Sequence, residues 1–429
     1  MPESQFKGEV MWPRLVANKL LRRPLFSSSF VGDFPGPYDH SLSGNELISS
    51  DTGFTEEMQT HKFRLFASTW NVGGIPPDDD LNLEDWLDTK NNYDIYVIGF
   101  QEVVPLSAKN VLGSEKHGIS MKWSSLIRKT LNKCSVTKSQ RGNKGDKCST
   151  SFVCIVSKHM VGILVSVWLK EKLLPFTHHP SVSCVGCGIM GCLGNKGSVS
   201  VRFLLHETSF CVVCCHLASG EKEGDGMHRN SNAMEIFSRT RFPSGPSLDL
   251  PRKINDHERV ILLGDLNYRI SLPEDETRCL VYQKKWDCLL ENDQLKVEIE
   301  GGAFEGWHEG AINFSPTYKY YSNSDEYYGS LQGLKAKKKR APAWCDRILF
   351  HGSGLNEIAY DRCESKHSDH RPVRATFNVE VDVLTNSNSS DQKFFLSAGP
   401  DRIPYKLRDF LLDDHHHCHD DDDDDSVIN

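Results

Sequence analysis

The stretch that most constrains this chain is Val260–Ile270, VILLGDLNYRI. Val260 to Leu263 are continuously apolar, the pattern of a buried strand. Gly264 breaks the run, and Asp265, Asn267 and Arg269 follow at alternate positions. Alternate side chains of extended backbone share a face, so this spacing predicts the Asp265 carboxylate and the Asn267 carboxamide at one point beyond the strand. Such a pair suits a phosphate-bound metal, a water or a scissile oxygen. Asp-x-Asn is also ordinary turn chemistry, so the rest of the chain has to decide between the two readings.

Other apolar runs end in the same way. Arg64–Trp70 leads into Asn71, Tyr93–Phe100 into Gln101-Glu102, and Ser209–Cys215 into His216. Asp369 and His370 stand side by side in Lys366–Pro372, where a further strand begins at Arg371 and runs to Val379. Thr150–Ser157 and Val161–Trp168 read as a strand pair, Gly194–Leu205 as a Gly-rich turn feeding an alternating strand, and Pro342–Phe350 as a late strand. Phe314–Tyr321 reads as extended; Asn232–Arg241 and Trp286–Leu295 read as helices. Strands and helices mix without regular alternation, which predicts an α+β layered fold, a two-sheet sandwich with helices outside.

The 429 residues, 38% hydrophobic, allow a large core. A net charge of -8 argues against a surface coated for nucleic acid, although Lys335–Arg340 (KAKKKR) is a local basic run. The 14 cysteines include several inside apolar strands, as in Phe210–Cys215, where a free thiol packs as a small hydrophobe. Met1–Val10 lacks the pattern of a signal peptide. The expectation is therefore an intracellular, cytoplasmic protein. Cys184, Cys187 and Cys192 resemble part of a zinc site but lack a fourth ligand at matching spacing. No apolar run reaches the roughly 18 residues of a membrane span. Met11–Arg23 is basic with interleaved apolar residues, a tail or a short amphipathic surface helix. Lys133–Lys147 reads as a basic loop, and Asp413–Asp425 as a disordered acidic tail. The expected organisation is an N-terminal extension and linker over 1–62, a folded domain over 63–380, and a C-terminal extension over 381–429.

Together these strand-end residues form an inventory for metal-assisted hydrolysis at phosphorus. Magnesium prefers oxygen ligands, and Glu102 with Asn71 beside it fits that task. Asp265 is the candidate base for a water nucleophile, with Asn267 orienting water or phosphate. His216 and His370 can donate to phosphoryl oxygens, His370 protonated or held by Asp369. The set lacks the nucleophilic cysteine and Arg-capped loop of a cysteine phosphatase, which favours direct attack by water.

The ordered series TWNVGG (Thr69–Gly74), GFQEVVPL (Gly99–Leu106), GNKGSVSV (Gly194–Val201), HLASGEKEGD (His216–Asp225), GDLNYRI, FSPTYKY, PAWCDRIL (Pro342–Leu349) and SDHRPV (Ser368–Val373) resembles the inositol polyphosphate 5-phosphatases of the endonuclease–exonuclease–phosphatase superfamily. WPRLV and the SGEKEGD variant are most similar to the plant type I branch. The resemblance implies a four-layer α/β/β/α sandwich, two stacked mixed sheets flanked by helices. It implies Mg²⁺-dependent removal of the 5-phosphate from inositol polyphosphates or phosphoinositides in signalling. By motif, Asn71 and Glu102 would hold Mg²⁺; His216 and His370 would contact the scissile phosphate; Asp265 and Asn267 would handle the water; Asp369 would orient His370. Asp346 would support the site from behind, with structural pairing to Arg347 or a histidine as its alternative. Tyr318, Lys338 and Arg340 would grip the 4-phosphate, a role suited to a bidentate guanidinium and an ammonium. The implied partners are inositol phosphates or phosphoinositide headgroups and no nucleic acid, with peripheral membrane contact or a nuclear fraction left open. The competing readings are a superfamily nuclease or sphingomyelinase, and a non-catalytic phosphoinositide-binding scaffold.

Overall fold

Alternating side chains in the central strands feed three separate apolar layers. The computed structural model describes residues 29–33, 56–107, 110, 117–133, 151–188, 191–244, 250–329 and 340–386. The expectations for Met11–Arg23, Lys133–Lys147, Lys338 and the acidic tail lie wholly or almost wholly outside these residues. The strands are β1 (Glu56–Asn71), β2 (Ile95–Gln101), β3 (Phe152–Met160), β4 (Ile163–Lys170), β5 (Thr177–Gly186), β6 (Gly197–Leu205), β7 (Thr208–His216), β8 (Arg259–Asp265), β9 (His308–Glu309), β10 (Asp346–His351), β11 (Leu355–Arg362) and β12 (Val373–Asn386). The helices are α1 (His117–Leu131), α2 (Asp225–Arg239), α3 (Glu274–Tyr282), α4 (Trp286–Leu290) and α5 (Gln294–Gly301).

The strands form two six-stranded sheets, ordered β11-β12-β1-β2-β4-β3 and β5-β6-β7-β8-β10-β9. Each sheet has a parallel pair at its centre, β1 with β2 and β7 with β8, and antiparallel neighbours beside it. Leu65, Ala67, Ile95, Val97, Val201, Ile261 and Leu263 face the layer between the sheets. The alternate residues Phe66, Trp70, Tyr96, Ile98 and Phe100 pack outward against Trp123 and Ile127 of α1. Val213, Cys215, Val260 and Leu262 pack outward against Ala233 and Ile236 of α2 and Leu295 of α5. This is the expected α/β/β/α sandwich. Strands buried on both faces read as unbroken apolar runs for this reason. Cys211, Cys214 and Cys215 fill buried apolar positions in β7.

Several local expectations are corrected. The first strand starts at Glu56, upstream of Phe63. The helix expected over Trp286–Leu295 divides, because Asp293 caps α5 by accepting from the Lys296 amide and also bridges to Ile270. Phe314–Tyr321, by contrast, keeps its expected extended character in single bridges from Tyr318 to Ala343 and His370, without joining a named strand.

The sheets approach closely at Gly99 on β2. A Cβ there would lie 2.1 Å from Leu263 Cδ1 and 2.9 Å from Cys214 Sγ. Gly99→Ala is expected to cost about 1–3 kcal/mol by overpacking, measured by urea denaturation. A change below about 0.5 kcal/mol would mean that the layers relax freely there.

Candidate active site

Strand register brings the polar ends together. His216 at the end of β7 pairs with Asp265 at the end of β8, and Asp265 pairs with Asp346 at the start of β10. Residues paired across neighbouring strands present side chains on one face. In the other sheet Asn71 ends β1 opposite Gln101 on β2, and Glu102 follows. These ends open into a cavity of about 510 Å³ lined by Asn71, Glu102, His216, Asp265, Asn267 and His370, with Tyr318 and Arg340 on its wall.

The contacts are specific. Asn71 Nδ2 donates to Asp265 Oδ2 at 2.9 Å, and His216 Nε2 lies 3.2 Å from the same oxygen. Glu102 Oε1 is 3.8 Å from His216 Nε2. The Lys196 ammonium also contacts His216 Nε2. Burial pulls Lys196 down to about 8, against the attraction of Asp265 and Glu102. Burial alone would raise Asp265, but the His216 hydrogen bond and the nearby His370 and Lys196 charges hold it far below the carboxylate range.

Asp265 and Asn267 share the site by a different route from the expected alternation. β8 stops at Asp265, and Asn267 has a left-handed φ of 59°. Its amide donates to Asp265 Oδ1 at 3.1 Å. The turn and the site are therefore one structure. Glu102 also has a left-handed φ, 53°, a sparsely populated region for a glutamate. The loop is held there by Gly74 N donating to the Glu102 carbonyl at 2.7 Å and Val103 N donating to Gly162 O at 3.0 Å.

The expectation that Asp369 orients His370 is corrected. His370 Nδ1 is 2.8 Å from Asp346 Oδ2, which also accepts from Thr317 Oγ1 at 2.7 Å. Asp369 instead accepts from Lys319 Nζ at 2.5 Å and Ser368 Oγ at 3.3 Å. The chain bends at 367–369 just before His370 bridges to Tyr318, so His370 meets Asp346 while Asp369 meets Lys319. Burial lowers His370, but the Asp346 charge and hydrogen bond, with Asp265 and Asp369 nearby, raise it to about 9. Arg347 pairs with Asp293 and Glu309, leaving the histidine to Asp346.

The endonuclease/exonuclease/phosphatase family 2 pattern matches residues 68–376. A type IV inositol polyphosphate 5-phosphatase 9 of Arabidopsis thaliana is 55% identical over 404 residues, spanning 92% of this chain and 97% of that protein. This chain belongs to the inositol polyphosphate 5-phosphatases. The type I inositol polyphosphate 5-phosphatase 8 of the same plant is 43% identical to this phosphatase, over 89% of this chain and 88% of that one. Among solved structures, the inositol polyphosphate 5-phosphatase domain of Spsynaptojanin, in complex with inositol (1,4)-bisphosphate and calcium ion, is 32% identical with a TM-score of 0.64. The match covers 76% of this chain and 87% of that one.

The phosphatase offers a divalent cation suitable donors. Among the described residues, Asp265, Asp346 and His370 place ligand atoms within 4.8 Å of one another. Asp346 and His370 are already bonded to each other there. Glu102 is freer: its side chain lines the cavity and is 29% exposed. Glu102, Asn71 and Asp265 all offer oxygen atoms, the chemistry of a hard cation, and all three line the cavity.

Among the described residues, three further cations line the phosphatase cavity: Lys196, Arg269 and Lys319. Arg269 Nη2 donates to Asn267 Oδ1 at 2.8 Å, its Nη1 meets Glu221 at 3.1 Å, and its guanidinium lies 4.8 Å from the Tyr318 ring centre. The Tyr318 ring in turn lies 4.5 Å from His370. Arg340 Nη1 is 3.5 Å from Glu221. All three cations sit inside motifs quoted above, and their position beside the polar strand ends was the available signal.

Proposed function

We propose that this phosphatase removes the 5-phosphate of inositol polyphosphates or phosphoinositides with Mg²⁺, by direct attack of water. The observation that carries this reading is a buried Asp265, bonded to Asn71 and His216, inside a cavity walled by Lys196, Arg269, Lys319 and Arg340. The cations suit a multiply phosphorylated ligand, and Asp265 suits a water.

Glu102 and Asn71 would hold the ion, which when bound supplies charge stabilisation at a phosphoryl oxygen. Asp265 accepts a hydrogen bond from the attacking water. Asn267 is pinned at its oxygen by Arg269 and through Nδ2 to Leu217 O at 3.2 Å. One Nδ2 hydrogen remains for water or phosphate. His370, held as a cation by Asp346, donates to the developing negative charge, and His216, in contact with Asp265, adds a second donor. Tyr318 and Arg340, with Lys338, are proposed to read the 4-phosphate. The buried thiols of β7 support a reducing, cytoplasmic setting.

The test is phosphate release from soluble and lipid inositides, with and without Mg²⁺. Release that stops on chelation and returns with Mg²⁺ is expected. DNA or sphingomyelin turnover without it would favour a different hydrolase of the same fold.

The pH profile tests His370. A pKa raised to about 9 keeps the donor protonated below that pH and loses it above. The alkaline limb of kcat is therefore expected near pH 9. In Asp346→Asn, burial should dominate and move the limb down toward the ordinary imidazole value of about 6.5. An unmoved limb would remove His370 from the role of acid.

A further inference from the structure

Arg278 stands on α3, outside every motif that carries the chemistry. Its Nη2 donates to the carbonyl of Tyr328 and to the carbonyl of Arg340, both at 2.7 Å. These carbonyls lie on either side of residues 330–339 in the sequence. Nε donates to Glu274 Oε1 at 2.8 Å, one helical turn back, which fixes the plane of the guanidinium. A Cβ on Gly329 would lie 2.9 Å from Arg278 Nη2, so the chain passes close over this group.

Each gripped residue is tied to a different part of the cavity wall. Tyr328 N donates to the Lys319 carbonyl at 2.7 Å, and Lys319 Nζ lies 5.7 Å from the Tyr328 ring centre. Arg340 meets Glu221, which also holds Arg269. A phosphate reaching both Lys319 and Arg340 needs them at a fixed separation before it arrives. We propose that Arg278 is a positioning residue for substrate binding: by holding the Tyr328 and Arg340 backbones together, it sets Lys319 and Arg340 as one preformed cradle for a ring phosphate. The inference rests on the function proposed above. Both bonds from Nη2 go to main-chain oxygens, so Arg278 acts through the two residues it holds.

The test compares wild type, Arg278→Ala and Arg278→Lys on inositol 1,4,5-trisphosphate. In Arg278→Ala, KM should rise about tenfold with kcat within about twofold, the pattern of lost binding with the chemical step intact. Lysine has one compact ammonium with no fork and should restore part of the loss. Hydrogen exchange gives a readout independent of turnover. The amides of Tyr328 and Gly329, bonded to Lys319 O and Tyr321 Oη, and of Ala343, bonded to Tyr318 O, should exchange faster in Arg278→Ala. An unchanged KM in an active enzyme, or equal losses in kcat and kcat/KM with unchanged KM, would overturn the inference. Inactive wild type would instead refute the function proposed; exchange then decides on Arg278, and wild-type exchange rates in Arg278→Ala would overturn its positioning role.

Discussion

Asp265→Asn is expected to lower kcat by about 100- to 10,000-fold, the range of a lost general base or water-orienting carboxylate. The replacement keeps shape and volume. It removes the charge that Asn71 and His216 both address through Oδ2. The wild-type carboxylate is buried, yet held ionised by the His216 hydrogen bond and by the charges of His370 and Lys196. Its proton affinity is therefore low, which suits orienting and polarising a water more than storing its proton. It follows that the acidic limb of the wild-type pH profile should not belong to Asp265. Substrate binding should survive, because the cavity cations remain. A fall of only a few-fold, in a variant with native thermal unfolding, would reduce Asp265 to a structural link between the sheets.

The central strands were legible because both their faces are buried, so each stands out as an apolar run. The strands that escaped the sequence reading, β5, β9 and β11, lie at sheet edges. Edge strands carry polar residues and sometimes proline: THHPSVSCVG has both, and LNEIAYDR is rich in polar residues. The helix α1 escaped because its buried residues Trp123 and Ile127 are diluted among polar neighbours. At the site, the residue types at the strand ends were readable, since a carboxylate, an amide or an imidazole after an apolar run stands out. Their pairing was not. Asp346 and His370 are 24 residues apart in sequence but share a hydrogen bond, a fact set by where β10 lies beside β8. Adjacency in sequence favoured Asp369, and backbone geometry turned it away. Arg278 left no signal, because its partners are carbonyls that every residue possesses.

Glu102→Ala is expected to lower kcat by about 1,000-fold or more with the fold intact, a loss on the scale of removing charge stabilisation from a phosphoryl-transfer site. Glu102 follows a strand of the sheet opposite Asp265, and its left-handed backbone is fixed by hydrogen bonds from and to neighbouring loops. The side chain is therefore delivered to the cavity by main-chain contacts that alanine leaves in place. Its removal leaves Asp265 and Asn71 as the remaining oxygen donors, and Asp265 is already engaged by His216 and Asn71. Excess Mg²⁺ should then rescue poorly, since affinity and placement are lost together. Binding can be read without turnover: Mg²⁺ or Ca²⁺ that binds the folded state raises its thermal stability by mass action. That rise should be present in wild type and largely absent in Glu102→Ala. If the variant is stabilised by the cation as wild type is, the ion sits elsewhere, and the buried trio of Asp265, Asp346 and His370 becomes its place. If activity is near normal as well, Glu102 holds neither the ion nor the substrate.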